Sequence, residues 1–413
     1  MCMSDLGSIR FGAAVKFRYR NTEMSGTFIG VENGIVTIKL SNGYNAGFLP
    51  DSIEIIEQSA AKAERKKERT RKVEGARVSI LSTGGTIASR VDYSTGAVKP
   101  SEDIDWLLES AAFNKNGSRL TAEFRIIENI LSENMKPSNW VAISRTIKSD
   151  LDAGRSVVVL HGTDTMTYTA SAMAFMFRSL SHPVVFTGSQ RSSDRPSSDS
   201  FLNVEGAISA SSSSIGEVAI AMHSSSSDDC ISAMRAVRTR KMHSTRRDAF
   251  KSIEEGPLAT YCNGRLEVND NHRQLSEESD LDDRMDTSVM MTYFYPGLSA
   301  SDFESMSSGK KAVVIMGTGL GHIADDLLKT IRTLSRDGTE FLMTTQCIYG
   351  RVNPFIYSTG RNLKDAGVTY LGDMLSEVAY VKAMHVLGSY PREQFREIMT
   401  ANMRGEIRER LRL

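Results

Sequence analysis

Two threonine-containing turns carry the residues of this chain that are candidates for catalysis, judged by residue type and spacing. In residues 78–89 (VSILSTGGTIAS), a short apolar run of strand type leads into a hydroxyl and glycine turn, and Thr86 follows the two glycines. A hydroxyl held at the carboxyl end of a strand is a candidate nucleophile, which would need a base from elsewhere in the fold. Taken alone, the pattern favours a plain strand-to-helix turn, with a phosphate-binding glycine loop as another alternative.

The second turn lies in residues 157–171 (VVVLHGTDTMTYTAS), where a buried strand leads through Gly162, Thr163 and Asp164 into a helix. Both turns are therefore expected at the same edge of one sheet. Asp164 could bind an ammonium group or orient a hydroxyl, and backbone N–H groups at the helix start could hold an oxyanion. Ordinary N-capping by Thr163 and Asp164 is the alternative, and His161 is interpreted as a core histidine.

A third stretch, residues 239–252 (TRKMHSTRRDAFKS), supplies basic side chains. Most of them are interpreted as surface charges. A lysine placed beside Thr163 and Asp164 could serve as a base, but the pattern does not select one. The candidates are Arg240, Lys241, Arg246, Arg247 and Lys251.

Composition restricts the class of protein. The chain has 413 residues, enough for about two to four domains, and its 50 basic residues balance its 50 acidic ones. It therefore has no net attraction for nucleic acid or for an anionic membrane. No signal core and no membrane-spanning apolar run is found, and the spacing of the four cysteines argues against structural zinc and against a disulfide framework. These features indicate a cytoplasmic protein with no membrane contact.

The first part of the chain is predicted to be all-β. Short β-type runs with turn signals between them fill residues 9–57, which predicts a small, bent barrel as domain 1–58. An RNA- or protein-binding module and an inert cap are equally compatible with that pattern. Residues 59–75 are strongly basic and form a linker or a solvated helix, for which a contact with a tRNA backbone is the less favoured alternative.

From residue 77 onward, alternating strands and helices predict a doubly wound α/β fold. The domain carrying the candidate residues is placed at 76–270, with helices at 101–113, 138–153 and 165–180. A connecting segment follows at 271–307. A second α/β domain occupies 308–413, with a helix at 322–335, closing helices at 373–387 and 391–403, and a solvated helix terminus at the end.

The two turns together resemble a known family. TGGTIA at 83–88 and HGTDTM at 161–166 are similar, in order and spacing, to the two signatures of the bacterial-type L-asparaginases. The resemblance covers about residue 77 to the carboxyl terminus. It implies a two-domain asparaginase-like α/β fold with a mostly parallel sheet.

The resemblance also implies roles for individual residues. Thr86 matches the favoured nucleophile and Tyr93 the lid tyrosine that assists it. Counting back from the Phe-Lys-Ser run at 250–252 places Lys241 in a triad with Thr163 and Asp164. The substrate's α-carboxylate would bind Ser132, its α-amino group Asp164, and its side-chain amide the backbone of Ser189, with Gly85 in the substrate-binding turn. Such a site hydrolyses a primary amide with hydroxyls, an amine and backbone donors, and needs no metal or organic cofactor in this chain.

The residues ahead of the first signature extend the resemblance. A β-barrel and a basic linker before the TGGT strand resemble the D-subunit family of archaeal glutamyl-tRNA(Gln) amidotransferases. That implies release of ammonia from glutamine or asparagine for an E subunit, which uses ATP and Mg²⁺, binds most of tRNA(Gln), and converts misacylated Glu-tRNA(Gln) to Gln-tRNA(Gln). A homodimer within a heterotetramer is expected. The alternatives are a free-standing asparaginase or glutaminase with an appended barrel, and a catalytically silent scaffold.

The glycine-rich loop at 317–321 (GTGLG) has two interpretations. It lacks the full dinucleotide-binding fingerprint and the acidic partner of that fingerprint. In the asparaginase family the matching loop lies near the active site of the neighbouring subunit, which again implies at least a homodimer.

Overall fold

The computed structural model describes residues 9–10, 12–32, 34–40, 44–59, 70–71, 77–85, 89–91, 98–100, 122–193 and 197–410. Thr86 and Tyr93 lie outside the described residues, as do the predicted helix at 101–113 and most of the basic linker. The statements below concern the described part of the chain.

The N-terminal module is a five-stranded antiparallel sheet, which confirms the predicted all-β start. Its strands alternate buried and exposed residues, because one face packs on a small core that includes Phe17, Val36 and Ile38, all fully buried. The sheet order is β4-β3-β2-β1-β5. The strands are β1 (Ala14–Tyr19), β2 (Thr22–Glu32), β3 (Ile35–Leu40), β4 (Asn45–Phe48) and β5 (Ile53–Ser59).

A nine-stranded mixed sheet forms the centre of the next unit, in the order β19-β18-β15-β14-β13-β11-β7-β10-β6. Its five central strands are parallel. The continuous valine-rich runs at 157–160 and 184–186 are fully buried, as expected of parallel strands, whereas the strand at 122–126 carries the charged residues Glu123 and Arg125. These strands are β7 (Val78–Ser82), β10 (Ala122–Ile126), β11 (Ser156–Leu160), β13 (Val184–Thr187) and β14 (Val218–His223).

Antiparallel strands extend both edges of this sheet. At one edge β6 (Thr70–Arg71), two residues of the predicted linker, pairs with β10. The other edge is built from β15 (Cys230–Arg235), β18 (Ala259–Cys262) and β19 (Arg265–Val268). Three short ladders lie outside the main sheet, made by β8 (Ser89–Val91) with β9 (Val98–Pro100), β12 (Phe177–Ser179) with β20 (Asp280–Leu281), and β16 (Thr239–Lys241) with β17 (Phe250–Ser252).

Helices cover both faces of the sheet. They are α1 (Pro137–Asp152), α2 (Met166–Met176) and α3 (Ser200–Ser211). The helix predicted at 165–180 is too long, because the chain leaves helical geometry at Phe177 and forms β12 against β20 instead. α2 is buried on nearly all sides, since a helix of the second unit, α7 (Ser376–Ser389), packs on it.

The second α/β unit contains a parallel sheet in the order β21-β22-β23-β24. The segment predicted to be a connection, 271–307, contains two regular elements, β21 (Val289–Tyr293) and α4 (Ala300–Ser307). β21 pairs along its whole length with the next strand of the sheet. The strands are β21 (Val289–Tyr293), β22 (Ala312–Gly317), β23 (Glu340–Thr345) and β24 (Val368–Tyr370). The helices besides α7 are α4 (Ala300–Ser307), α5 (Leu328–Arg336), α6 (Ser358–Asp365) and α8 (Phe395–Thr400).

The carboxyl-terminal segment differs from the predicted solvated helix. Residues 401–410 are not helical, and Glu406 is fully buried. Its carboxylate accepts a hydrogen bond from Lys382 Nζ at 2.6 Å, and both side chains have no solvent exposure. The charge pattern suggested a solvated face, but this charged pair lies inside the protein, where each partner compensates the other.

A disulfide joins Cys230 to Cys262, contrary to the prediction against disulfides. Strands β15 and β18 are antiparallel, and their register puts the two cysteines directly opposite each other with Cα atoms 4.4 Å apart. The spacing of 32 residues gave no sign of this, because the pairing arises only when the two strands meet. Cys347 is free and exposed.

Candidate active site

The carboxyl ends of three adjacent parallel strands create the edge where the predicted site residues lie. Leu160 of β11 pairs with Ser82 of β7 on one side and with Thr187 of β13 on the other. The turns that follow these strands therefore start at one level of the sheet. Thr83 N donates to the Leu160 carbonyl at 2.9 Å, so the first turn begins bonded to the strand that carries the second.

Glycine allows the two turns to pack against each other. Gly85 has a positive φ of 86°, and a Cβ at this position would lie 2.5 Å from both Cα and N of Gly162. A Cβ on Gly162 would in turn lie 2.6 Å from Cβ of Ser132. Backbone contact this close excludes any side chain, so Gly85 of the first turn packs on Gly162 of the second, and Gly162 packs on Ser132.

Lys241 brings the three predicted triad residues together. Its Nζ donates to Thr163 Oγ1 at 2.9 Å and to Asp164 Oδ1 at 2.7 Å. Thr163 is buried, Lys241 is mostly buried, and the Asp164 side chain is 68% exposed. The ammonium donor thus joins a buried hydroxyl to a carboxylate that faces outward. This is an arrangement in which a proton can pass between a hydroxyl and an amine.

The position of Lys241 depends on the second α/β unit. Lys241 ends β16, which follows the fully buried Arg238. The Arg238 guanidinium donates to the Asp373 carboxylate at 2.9 Å and to the Gly405 carbonyl at 2.8 Å. Because both partners lie in the second unit, that unit holds the segment leading to Lys241. Arg240, interpreted as a surface charge, is only partly exposed and lies 3.5 Å from the carboxylate of Glu377 at the start of α7.

Ser132 is placed by the same helix that follows the second turn. It begins a short 3₁₀ turn and is buried. Thr165, the residue before α2, donates its hydroxyl to the Ser132 carbonyl at 2.7 Å. The predicted α-carboxylate contact therefore packs against Gly162, the residue before Thr163.

Ser189 follows β13 in a segment that we call the 188–191 loop, comprising Gly188, Ser189, Gln190 and Arg191. A Cβ on Gly188 would lie 3.2 Å from Thr163 Cγ2, so the loop borders the triad. The Ser189 hydroxyl is buried and has no hydrogen-bond partner among the described residues. A polar ligand at this edge of the sheet could supply one.

His161 is a core histidine, as predicted. It is fully buried, and its Nδ1 lies 2.7 Å from the Gly162 carbonyl. Burial lowers the pKa of His161 to about 4, so the ring is neutral at pH 7. A neutral ring that bonds its own turn fixes the orientation of the Gly162 peptide rather than moving protons.

Sequence reasoning missed a buried polar group that supports the 188–191 loop. The Asp199 carboxylate accepts from the backbone N–H groups of Gln190 and Arg191, and Asn203 and His223 continue the chain of contacts behind it. The only sequence signal was the spacing of Asp199 and Asn203, which puts both on one face at the start of a helix.

Among the described residues, no helix is both long enough and apolar enough to cross a bilayer. The described part of the chain also contains no group of three or more His, Cys, Asp or Glu side chains placed to hold a metal ion.

Comparison with known proteins identifies the family. Residues 77–274 match the family model described as Asparaginase, N-terminal, and residues 288–399 match the Glutaminase/Asparaginase C-terminal domain. The glutamyl-tRNA(Gln) amidotransferase D subunit of Thermoplasma volcanium is 50% identical over 406 residues, covering 96% of this chain and 98% of the relative. The corresponding D subunit of Thermoplasma acidophilum is 48% identical over 95% of this chain and 96% of its own length.

Solved structures agree with these matches. The thermostable L-asparaginase from Thermococcus kodakarensis superposes with a TM-score of 0.74 at 31% identity, covering 81% of this chain and 99% of that one. L-asparaginase I from Vibrio cholerae has a TM-score of 0.68 at 27% identity, covering 81% of this chain and 100% of that one. The chain therefore belongs to the asparaginase family of amidohydrolases and, within it, to the glutamyl-tRNA(Gln) amidotransferase D subunits.

Proposed function

We propose that this chain releases ammonia from the side-chain amide of glutamine or asparagine and supplies it to a partner E subunit. The partner would use ATP and Mg²⁺ to convert Glu-tRNA(Gln) to Gln-tRNA(Gln). The main support is the bridge from Lys241 Nζ to Thr163 Oγ1 and Asp164 Oδ1, placed where Gly85 packs on Gly162. These contacts put an amine, a hydroxyl and a carboxylate beside the turn that leads into Thr86.

The proposed reaction proceeds in two halves. The Thr86 hydroxyl attacks the amide carbon, assisted by Tyr93, and the developing oxyanion is stabilised by backbone N–H groups of the turns. The hydroxyl proton passes to the amide nitrogen, with Thr163 and Lys241 as the relay, and ammonia leaves. Water then attacks the ester on Thr86, which yields glutamate or aspartate and restores the hydroxyl. The chain itself would need no cofactor.

The substrate would bind through its polar ends. Ser132 would hold the α-carboxylate, Asp164 the α-amino group, and the backbone at Ser189 the side-chain amide, with Gly85 lining the turn between them. The exposure of the Asp164 carboxylate supports a role in binding an incoming ammonium group. Glutamine and asparagine differ by one methylene, which is discriminated by the shape of the pocket.

The N-terminal sheet supports the assignment to a tRNA-dependent complex. Both family models begin at or after residue 77, so the N-terminal sheet lies outside the asparaginase part. The match to a relative named as an amidotransferase D subunit covers 96% of the chain and therefore includes most of the N-terminal sheet. We infer a homodimer of this chain within a heterotetramer, with tRNA(Gln) bound mainly by the partner and the 317–321 loop near a neighbouring active site.

Ammonia release tests the proposal directly. The rate of ammonia release from glutamine and from asparagine is measured for this chain alone, with the E subunit, and with the E subunit, ATP and Glu-tRNA(Gln). We expect release to rise strongly in the complete mixture and Gln-tRNA(Gln) to accumulate. Fast release by the chain alone, unchanged by the partner and charged tRNA, would contradict the amidotransferase role.

A free-standing asparaginase or glutaminase is the second candidate. The superposition over 99% of a chain named as an L-asparaginase, from Thermococcus kodakarensis, favours it. Deletion of residues 1–69, which removes the N-terminal sheet but keeps β6 of the main sheet, separates the two candidates. The free-standing enzyme would keep its turnover without the barrel, whereas the amidotransferase component would lose stimulation by the partner and tRNA.

A further inference from the structure

A chain of polar side chains runs from the protein surface to the 188–191 loop. Asp199 is fully buried and is not ion-paired to any described residue within 4.0 Å. Its carboxylate accepts from Gln190 N at 3.0 and 3.1 Å, from Arg191 N at 3.0 Å and from Asn203 Nδ2 at 3.0 Å. These bonds hold the loop that the proposed function assigns to the substrate amide.

The orientation of the Asn203 amide is determined by its neighbours. Its Nδ2 donates to the Asp199 carboxylate at 3.0 Å and to the Gly188 carbonyl at 2.9 Å. Both partners are pure acceptors, so a flipped amide would set its oxygen against two other oxygens. Asn203 Oδ1 therefore points the other way, and its neighbour there must be a donor.

That neighbour is His223, which must carry protons on both ring nitrogens. His223 Nδ1 lies 2.6 Å from Asn203 Oδ1, and Nε2 lies 3.0 Å from Asp228 Oδ1. An amide oxygen and a carboxylate oxygen accept only, so each ring nitrogen has to donate. A doubly protonated ring satisfies both contacts, and such a fully buried imidazolium would contrast with the neutral ring of His161.

Positive and negative charges alternate along this series of contacting side chains. Asp228 stands between His223 and Arg247, whose Nη1 lies 2.7 Å from Asp228 Oδ2. Partial burial would raise the pKa of Asp228, but the hydrogen bonds from His223 and Arg247 hold it below its usual value. The series runs from the Asp199 carboxylate through the His223 imidazolium and the Asp228 carboxylate to the Arg247 guanidinium. This alternation compensates the buried negative charge of Asp199, because burying that charge without a compensating cation would cost free energy.

The other charged groups on the surrounding elements have partners of their own. Lys251 on β17 donates to the Ser224 carbonyl and to Asp248, and Glu205 on α3 accepts from the Tyr261 hydroxyl. Neither is bonded to the imidazole, so Asp228 is the ionised partner of His223 among the described residues.

We propose that His223, protonated on both nitrogens, is a positioning residue that fixes Asn203 and Asp199 and through them the 188–191 loop. The inference deepens the proposed function, because this loop borders the predicted amide-binding position. His223 does not touch the reacting atoms. The doubly protonated ring and the protected loop N–H groups can both be measured without any substrate.

The protonation state is tested by NMR of the ¹⁵N-histidine-labelled chain at pH 8, with the His223 signals assigned from the His223→Asn spectrum. We expect both ring nitrogens to be protonated in the unmodified chain. In Asp228→Asn, which removes the carboxylate, we expect a neutral ring protonated at Nδ1. Asp229→Asn is the matched control, since Asp229 bonds only Ser225 and the backbone of Cys230 in the described chain. A neutral His223 in the unmodified chain would overturn the proposal.

Hydrogen exchange tests the positioning. In His223→Asn, the new side-chain amide can still donate a hydrogen bond to Asn203 Oδ1 from about the position of the histidine Nδ1. The leucine of His223→Leu offers no donor. We expect the N–H groups of Gln190 and Arg191 to exchange about tenfold faster in His223→Leu and within about threefold of the unmodified chain in His223→Asn, with α1 unchanged in both. Amide hydrolysis should follow the same order, with kcat/KM about tenfold lower in His223→Leu.

Equal exchange in the unmodified chain and both variants would overturn the positioning role, and so would equal loss of protection in both variants. The two hypotheses can also fail separately. If the exchange results are as expected, but the unmodified chain with its partner and all variants fail to hydrolyse glutamine and asparagine, the proposed function is wrong and the positioning role stands.

Discussion

Gly85 and Gly162 lie so close that a Cβ on Gly85 would stand 2.5 Å from the Cα of Gly162. This contact joins two turns that are 77 positions apart in the sequence. It brings the turn leading into Thr86 against the turn that carries Thr163 and Asp164. Two signatures that are separate in the sequence are therefore in contact in the fold.

Replacing Gly85 with alanine should damage both stability and activity. The new Cβ would clash with the Gly162 backbone and would also strain a φ of +86°. We expect amide hydrolysis to fall about 100-fold or more, because small displacements of reacting groups are costly. The matched control is Gly154→Ala, with φ +72° and no atom within 4 Å of the new Cβ. It should lose about 1–2 kcal/mol of stability with little change in kcat.

Replacing Lys241 should slow the chemical step more than it weakens binding. Lys241→Met keeps much of the side-chain volume but removes the donor that joins Thr163 to Asp164. We expect kcat to fall by a factor of about 10² to 10⁴, the range of proton-transfer catalysis, with a smaller change in KM. Lys329→Ala, on an exposed face of α5, is the control and should have normal kinetics. A higher KM at unchanged kcat would point to binding alone.

The Cys230–Cys262 disulfide should stabilise the N-terminal α/β unit. It closes a loop between positions 32 apart, for which the chain-entropy model gives about 3–4 kcal/mol. Replacing both cysteines with serine should lower the free energy of unfolding by about that amount under non-reducing conditions, measured by urea denaturation. Cys347→Ser is the control and should change little. If unfolding of the unmodified chain is the same with and without a reductant, the thiols are not joined in solution.

Stability should fall as the pH drops below about 6.5. Burial lowers the pKa of both His161 and His385 to about 4, below the ordinary value of 6.5. The unfolded chain therefore binds protons that the folded chain does not, so each histidine costs on the order of 3 kcal/mol of stability by pH 4. His385→Gln should reduce the slope of unfolding free energy against pH between 6.5 and 4. An identical slope in the unmodified chain and in His385→Gln would refute this assignment.

The sequence predicted the parts of the fold that depend on local pattern. The continuous valine-rich runs of β11 and β13 predicted buried parallel strands, and turn residues marked where these strands end. Once those strands are parallel neighbours, the common level of Ser82, Leu160 and Thr187 follows. The family and the fold class were confirmed by comparison, and the Lys241 contacts agree with the triad placed by resemblance.

Contacts made only by tertiary packing could not be predicted. Cys230 and Cys262 meet because of the register of two strands, and Lys382 meets Glu406 because the last residues fold back on α7. In the second case the charged sequence pattern suggested exposure, whereas packing buried both charged groups. His223 likewise lies in an apolar strand, and nothing local reveals that α3 turns Asn203 toward it.

The most direct test of the account is to identify the residue that attacks the amide. The chain, alone and with its partner and charged tRNA, is incubated with a diazoketone analogue of glutamine, whose reactive carbon alkylates the attacking nucleophile. Peptide mass spectrometry then locates the adduct. The account predicts a single adduct on Thr86, reduced in Gly85→Ala and Lys241→Met. An adduct on Thr163 instead, or equal labelling in Thr86→Ala, would contradict it.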